Sequence, residues 1–475
     1  MATAEAPTQI PEATIGRVEE RELPEAPPLR RIIGPSVILV GVGIASGEYI
    51  LFPYIASQVG LVFLWAAVIG LLTQFFINME IERYTLATGE TAVTGFQRLW
   101  KPFGLLMIAC AIVPNIWPAW ATSAATITTF LLGGGNANAI AIGAMVLIGI
   151  ALSASPVVYQ TIEKFEFVKV ALVLVFLVVA LTTAVSAGAF GELDKTVTSF
   201  GSFTGGELEL AVLLGALAYA GAGGTNNLVV SNWIRDKGFG MGLYAPRVVS
   251  PITGEEEAAP SGRGFWFRVD PSSMRRWDEW WRKANVEQFF SFFVIGLVTI
   301  VVFSLVAYST VYGNPAVKDS DFAFIEIQGN ALKDTVGTWF GTLFWVIGAI
   351  SLFGAALGII DYVSRLVADV LRVGYLRESK RWTESKLYFC VVWFLIACGS
   401  GILLSGFDQP LSLVVVAAAL SGGVMFIYSI LLLVINRRFL PDQLKVRGVR
   451  MLVLLWAAGL FGVMSVLVVI NEASG

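Results

Sequence analysis

A carboxylate and a cluster of helix breakers share one apolar stretch, "VGVGIASGEYILFPYIASQVG" (40–60). Glu48 stands near its middle, preceded by Ala45, Ser46 and Gly47 and followed by Tyr49. A second stretch, "VLLGALAYAGAGGTNNLVVSNW", sets Gly223 and Gly224 directly before Thr225, Asn226 and Asn227. Glycine lets a helix unwind. Unwound backbone in lipid leaves N–H and C=O groups without partners, so it survives only where it lines a cavity. The freed half-helix ends then act as ligands, N-termini for anions and carbonyls for cations. An ionised carboxylate at the bilayer centre costs at least about 2.5–3.5 kcal/mol on insertion scales, so Glu48 requires a partner or a proton. The ten residues Ala45 to Tyr49 and Gly223 to Asn227 therefore form a candidate binding site. The plainer reading is close packing, because glycine is common where membrane helices touch. The mid-depth acid weighs against it.

These residues need a membrane bundle to position them. Hydrophobic residues make up 56% of the 475-residue chain and charged residues 14%, too little charge for a soluble surface of this size. Eleven apolar spans are expected, at roughly 32–59, 61–86, 103–132, 138–156, 165–188, 208–234, 286–312, 336–371, 387–405, 409–436 and 450–470. The fold class is an all-α membrane protein. With the N-terminus inside, every Lys and Arg except Lys195, Lys318 and Lys333 falls on the cytoplasmic side. That places the C-terminus outside and the chain in the cytoplasmic membrane. The two glycine-broken spans are five helices apart. An odd repeat length inverts the second half, so the pattern predicts a 5+5 inverted repeat with discontinuous helices 1 and 6. Repeat one would cover about 32–188 and repeat two about 208–436 of a transporter core at 32–436, with 450–470 as an added eleventh helix.

Residues 1–31 are rich in Pro and Glu and read as a disordered cytoplasmic tail. The segment 238–285 reads as a cytoplasmic loop. It ends in "MRRWDEWWRKA", either an interfacial helix or a basic, Trp-anchored start to helix 7. The three cysteines (Cys110, Cys390, Cys398) fall inside spans, so no disulfide framework is expected. The absence of histidine excludes histidine metal ligands and proton relays. No nucleophile elbow, phosphate loop or metal-ligand cluster is present, which argues against an enzyme, a cofactor or a nucleic-acid partner.

Several motifs resemble the Nramp-type divalent metal transporters, which have the leucine-transporter fold. "GPSVILVGVGIASGEYI" is similar to their first helix, and "LTQFFINMEIERYTLATGETAV" to their second. "YQTIEKFEF" is similar to their fifth, and "TNNLVVSNWIRDKG" to the second half of their sixth. The resemblance implies eleven helices, an N-inside orientation and alternating access between helices 1 and 6. It also shows what is missing. The family's metal-binding Asp-Pro-Gly-Asn is matched here by Ala45, Ser46, Gly47 and Glu48. Its Met-Pro-His is matched by Gly224, Thr225 and Asn226, and its third-helix acids by Asn115 and Pro118. Soft sulfur favours transition metals over Mg²⁺ and Ca²⁺. The departures imply an Nramp-related secondary transporter with altered selectivity, not a standard Mn or Fe importer. Three substrates stay open: a hard cation such as Mg²⁺, a small anion such as bicarbonate, or a small organic solute. A protonated Glu48 could donate a hydrogen bond to the latter two. A non-transporting sensor on the same fold is the competing class, although "VINEASG" carries no signalling domain.

Asp361, Arg365 and Asp369 recur at four-residue spacing in helix 8. They read as an ion-pair ladder or as an inner gate formed by Asp361 and Arg365. Glu80, Glu82 and Arg83, and Glu163, Lys164 and Glu166, read as solvated boundary charges. Gln74 has no assigned face.

Overall fold

The computed structural model describes residues 10–154, 158–202, 208–245, 264–317, 322–406 and 410–474. Long apolar runs close their own backbone hydrogen bonds, as a hydrocarbon solvent demands. Helix 1 is Pro35–Gly43 (1a) and Phe52–Val59 (1b), joined through a π turn at Gly47–Leu51. Helix 2 is Trp65–Thr88. Helix 3 is Phe103–Asn115 and Ala119–Leu132, helix 4 is Ala137–Ala154 and helix 5 is Val158–Thr183. Helix 6 is Leu210–Ala218 (6a) and Gly224–Lys237 (6b). Helix 7 ends in Ile295–Val311, helix 8 is Thr338–Gly374 and helix 9 is Glu384–Leu404. Helices 10 and 11 are Pro410–Arg438 and Gly448–Ser474.

Among the described residues, nine helices are long and apolar enough to cross a membrane. Helix 2, which carries Glu80, Glu82 and Arg83, and the divided helix 6 fall outside that measure, so the pattern is consistent with the eleven expected spans. Large apolar side chains such as Leu147, Val178, Val416 and Val466 stay exposed on the outer faces of helices 4, 5, 10 and 11. Contiguous apolar surface of that kind suits lipid, not water.

The N-terminal segment departs from the tail expected for 1–31. Residues 1–9 lie outside the described residues, but from Ile10 onward the segment is held against the bundle. Arg98 donates to Pro11 O (2.7 Å) and Gly16 O (3.0 Å). Arg276 donates to Leu23 O, Trp280 to Pro24 O, and Lys283 to Ala26 O and Pro27 O, all at 2.8 Å. Glu19–Glu20 pairs in parallel with Phe265–Trp266. A Pro-rich segment bonds few of its own carbonyls, and composition alone does not register that cations on distant helices are waiting for them.

Of the two readings of the Trp- and Arg-rich piece, the geometry is that of a start to helix 7. Residues 246–263 lie outside the described residues. Pro271–Gln288 is not a separate interfacial helix: it runs on through a π turn at Phe289–Val294 into helix 7. Asp270 caps it, accepting from Ser272 N–H (2.9 Å) and Ser273 N–H (2.8 Å). Trp277 and Trp280 are buried in the protein instead of facing lipid headgroups.

Candidate functional site

Helix 1a stops at Gly43, and Ala45 N–H turns back to Gly43 O at 2.6 Å. Helix 6a stops at Ala218, and the chain passes through Gly221 (φ 104°) and Gly223 (φ 72°) before helix 6b begins. Side chains with a Cβ rarely adopt those φ values. The two breaks lie against each other. A Cβ placed on Gly43 would overlap Gly221 O, and one on Gly47 would overlap Tyr219 O. The glycines in helix 1 are therefore there for backbone approach as well as for unwinding.

Helix 2 satisfies the opened backbone of helix 6. Gln74 Nε2 donates to Ala218 O (3.0 Å) and Ala220 O (2.7 Å). Its Oε1 accepts from Ala222 N–H (3.0 Å), Gly223 N–H (2.9 Å) and Asn227 Nδ2 (3.3 Å). Asn227 Nδ2 also donates to Asn78 Oδ1 at 2.7 Å. One buried amide thus replaces the helix ladder across the gap. A lone Gln in an apolar helix carries no spacing signal, so its role was not visible in the sequence.

Glu48 is fully buried, and neither carboxylate oxygen has a hydrogen-bond partner. The backbone N–H groups of Glu48 itself and of Gly221 favour its charge, and so does the positive charge of Lys169. The other predicted residues separate. Tyr49 points away from the breaks: its hydroxyl donates to Phe344 O (3.1 Å), and its ring stacks on Phe344 and meets Phe303 edge-on. Gly224 abuts Ser421 of helix 10, where a Cβ would lie 2.6 Å from the hydroxyl oxygen. Asn227 is taken by helix 2. Asn226 is buried with its Oδ1 unpaired. Ala45, Ser46 and Thr225 are buried at the breaks.

Asn115 accepts from the Tyr362 hydroxyl at 2.8 Å. Beside it a cavity of about 30 Å³ opens between helices 3, 4, 8 and 9, lined by Trp117, Pro118, Trp120, Ala356 and Leu395. That is room for about two waters.

The spacing of Asp361 and Arg365 suggested a gate pair, but the two face each other along one helix, at 2.7 Å. The ion pairs that join helices 6b, 8 and 9 involve residues of the "WIRDK" segment. Arg365 reaches Asp236 of helix 6b at 2.5 Å. Arg235 reaches Asp369 at 2.8 Å and Glu384 of helix 9 at 2.7 Å. Tyr388 and Trp233 donate to Asp361 at 2.7 and 3.3 Å. Of the boundary charges, Lys164 is exposed as expected and Glu163 is half-buried against Lys237, but the others are not solvated. Glu80 and Arg83 form a buried pair at 2.6 Å, Glu82 is buried, and Glu166 pairs with Lys169 at 2.6 Å inside the bundle.

No protein-family model matches the chain, and no curated protein matches it. Solved structures do. A mutant of the Eremococcus coleocola manganese transporter aligns over 95% of this chain and 89% of its own, at 11% identity and a TM-score of 0.66. The fold is the leucine-transporter fold. Mhp1, a nucleobase-cation-symport-1 family transporter in a closed conformation with bromovinylhydantoin bound, covers 92% of this chain and 93% of its own. Its identity is 13% and its TM-score 0.52. MhsT in complex with L-phenylalanine covers 96% and 99%, at 13% identity and a TM-score of 0.53. The leucine-transporter fold accommodates breaks in helices 1 and 6, which is where this chain has them. The resemblance of its motifs to Nramp-type transporters is thus met at the level of the fold.

Proposed function

We propose that the chain is a secondary transporter, Nramp-related but altered in selectivity, that moves a small ion or solute between helices 1 and 6. The observation that carries this reading is the meeting of two unwound segments at one depth, with the unpaired Glu48 carboxyl beside them. Burying a carboxyl without a partner is costly, and a structure retains such a group where it binds something or exchanges a proton. Two closures support alternating access. Aromatic packing of Tyr49, Phe176, Phe303, Phe340 and Phe344 covers the 1b side. The ion pairs between helices 6b, 8 and 9 cover the other side.

The donors at the breaks are oxygen atoms of Glu48, Asn226 and backbone carbonyls, with no sulfur. They suit a hard cation or a hydrogen-bonding solute, and they lack the soft sulfur that would select a transition metal over Mg²⁺. The test is flux into reconstituted vesicles with Mg²⁺, Mn²⁺, bicarbonate and small organic solutes in turn. Saturable uptake of one of them, abolished or shifted in pH dependence by Glu48→Gln, is expected. Uptake unchanged by Glu48→Gln in affinity, rate and pH dependence removes Glu48 from the mechanism. Mn²⁺ flux as the dominant activity overturns the altered selectivity.

A further inference from the structure

The corner between helices 8 and 9 is held by its own hydrogen bonds. Arg372, in the last turn of helix 8, donates to Leu376 O (2.5 Å), Ser379 O (2.8 Å) and Trp382 O (3.0 Å). Ser379 Oγ accepts from Trp382 N–H at 3.2 Å. Thr383 caps helix 9, its side chain accepting from Lys386 N–H at 3.3 Å. Against this corner opens a recess of about 370 Å³, lined by Arg381, Trp382, Lys386, Phe389 and Cys390.

The lining has a charged half and an apolar half. Arg381 and Lys386 are exposed, and among the described residues neither has an ion-pair partner. The acid beside them, Glu384, is taken by Arg235 of helix 6b. Trp382, Phe389 and Cys390 supply the apolar half. From there an exposed stripe runs along helix 9 through Cys390, Phe394, Ala397 and Gly401, each three or four residues from the last.

Basic residues gather at the ends of membrane helices without binding anything. The recess and the apolar stripe leading out of it go beyond that pattern. A soluble phosphate would engage the two cations and leave the apolar half in water. A phospholipid matches both halves, its phosphate meeting guanidinium and ammonium and an acyl chain following the stripe. A zwitterionic headgroup would bring a further cation to Arg381 and Lys386, whereas an anionic one would not.

We propose that this recess is a binding site for an anionic phospholipid, with Arg381 and Lys386 on the headgroup phosphate and Phe389, Cys390 and Phe394 along an acyl chain. The proposal needs the membrane setting of the chain and is independent of the transport reading.

The experiment uses the full chain in phosphatidylcholine nanodiscs, with Cys110 and Cys398 replaced by Ala. Cys390 then reports occupancy of the recess through its rate of modification by N-ethylmaleimide, an uncharged reagent. Replacing part of the phosphatidylcholine with phosphatidylglycerol should slow the modification saturably, about fivefold or more. Inorganic phosphate added to phosphatidylcholine discs should not slow it. Arg381→Gln/Lys386→Gln should abolish the protection, and Arg381→Lys/Lys386→Arg should keep it. Arg17→Gln/Arg438→Gln, which removes two exposed arginines elsewhere, should be protected like the parent. Equal Cys390 rates in the two lipids overturn the proposal, as does protection that survives Arg381→Gln/Lys386→Gln. Protection by inorganic phosphate equal to that by phosphatidylglycerol overturns the lipid in favour of a soluble anion.

Discussion

Gly43 and Gly221 meet backbone to backbone, so that a Cβ on Gly43 would overlap the Gly221 carbonyl oxygen. The two breaks are thereby fastened to each other at the level of Glu48. Helix 1 cannot take even a methyl group at Gly43 without displacing the helix 6 backbone, and one on Gly221 would strike Phe292.

Gly43→Ala should therefore destabilise the protein by about 1–3 kcal/mol, the usual cost of overpacking. Gly47→Ala, aimed at Tyr219 O, should behave alike. Gly143→Ala is the control, since nothing stands within 4 Å of its Cβ position in helix 4. It should be neutral or slightly stabilising, because alanine is the better helix former. Melting curves in detergent check all three.

Gln74→Leu should cost about 3 kcal/mol or more. It strips partners from Ala218 O, Ala220 O, Ala222 N–H and Gly223 N–H at once, and each buried unsatisfied group costs about 1–3 kcal/mol. Gln74→Glu keeps the acceptor for the two N–H groups and loses the donors, so it should fall between. Thermal or denaturant unfolding ranks the three proteins.

Breaking the Arg365–Asp236 contact from one side should cost about 3–5 kcal/mol, since it leaves a buried charge uncompensated. Arg365→Met also strands Asp361, whereas Asp236→Asn leaves Arg365 its partner on helix 8. The first should hurt more. A double-mutant cycle should give Asp236→Asn/Arg365→Met a smaller loss than the sum of the two singles.

The parts legible in the sequence were those with local signatures. Apolar run length gave the spans. Gly223 and Gly224, next to Thr225, Asn226 and Asn227, marked one break, and Ser46, Gly47 and Glu48 marked the other. What stayed hidden depends on pairing across distant chain segments. Gln74 needed helix 6 beside it to acquire a role. Glu166 looked like a boundary charge because spacing along one helix does not say how deep the helix sits. Asp361 and Arg365 drew attention through their four-residue spacing, while Arg235 and Asp236, which make the contacts between helices, had no such periodicity. The Pro- and Glu-rich N-terminal segment was read from composition, which has no term for the arginine, lysine and tryptophan donors that hold it.

The central claim is that the breaks form a polar pocket reached by water from one side of the membrane at a time. In a background with Cys110, Cys390 and Cys398 replaced, Ser46→Cys and Asn226→Cys can be tested with membrane-impermeant thiol reagents in oriented vesicles, with Ala67→Cys in helix 2 as the buried control. The account predicts that both pocket cysteines are modified slowly but to completion, and that a transported solute protects them. Ala67→Cys should stay unmodified. If both pocket cysteines prove as inert as the one at position 67, with the protein folded, the pocket is sealed packing and the account is wrong.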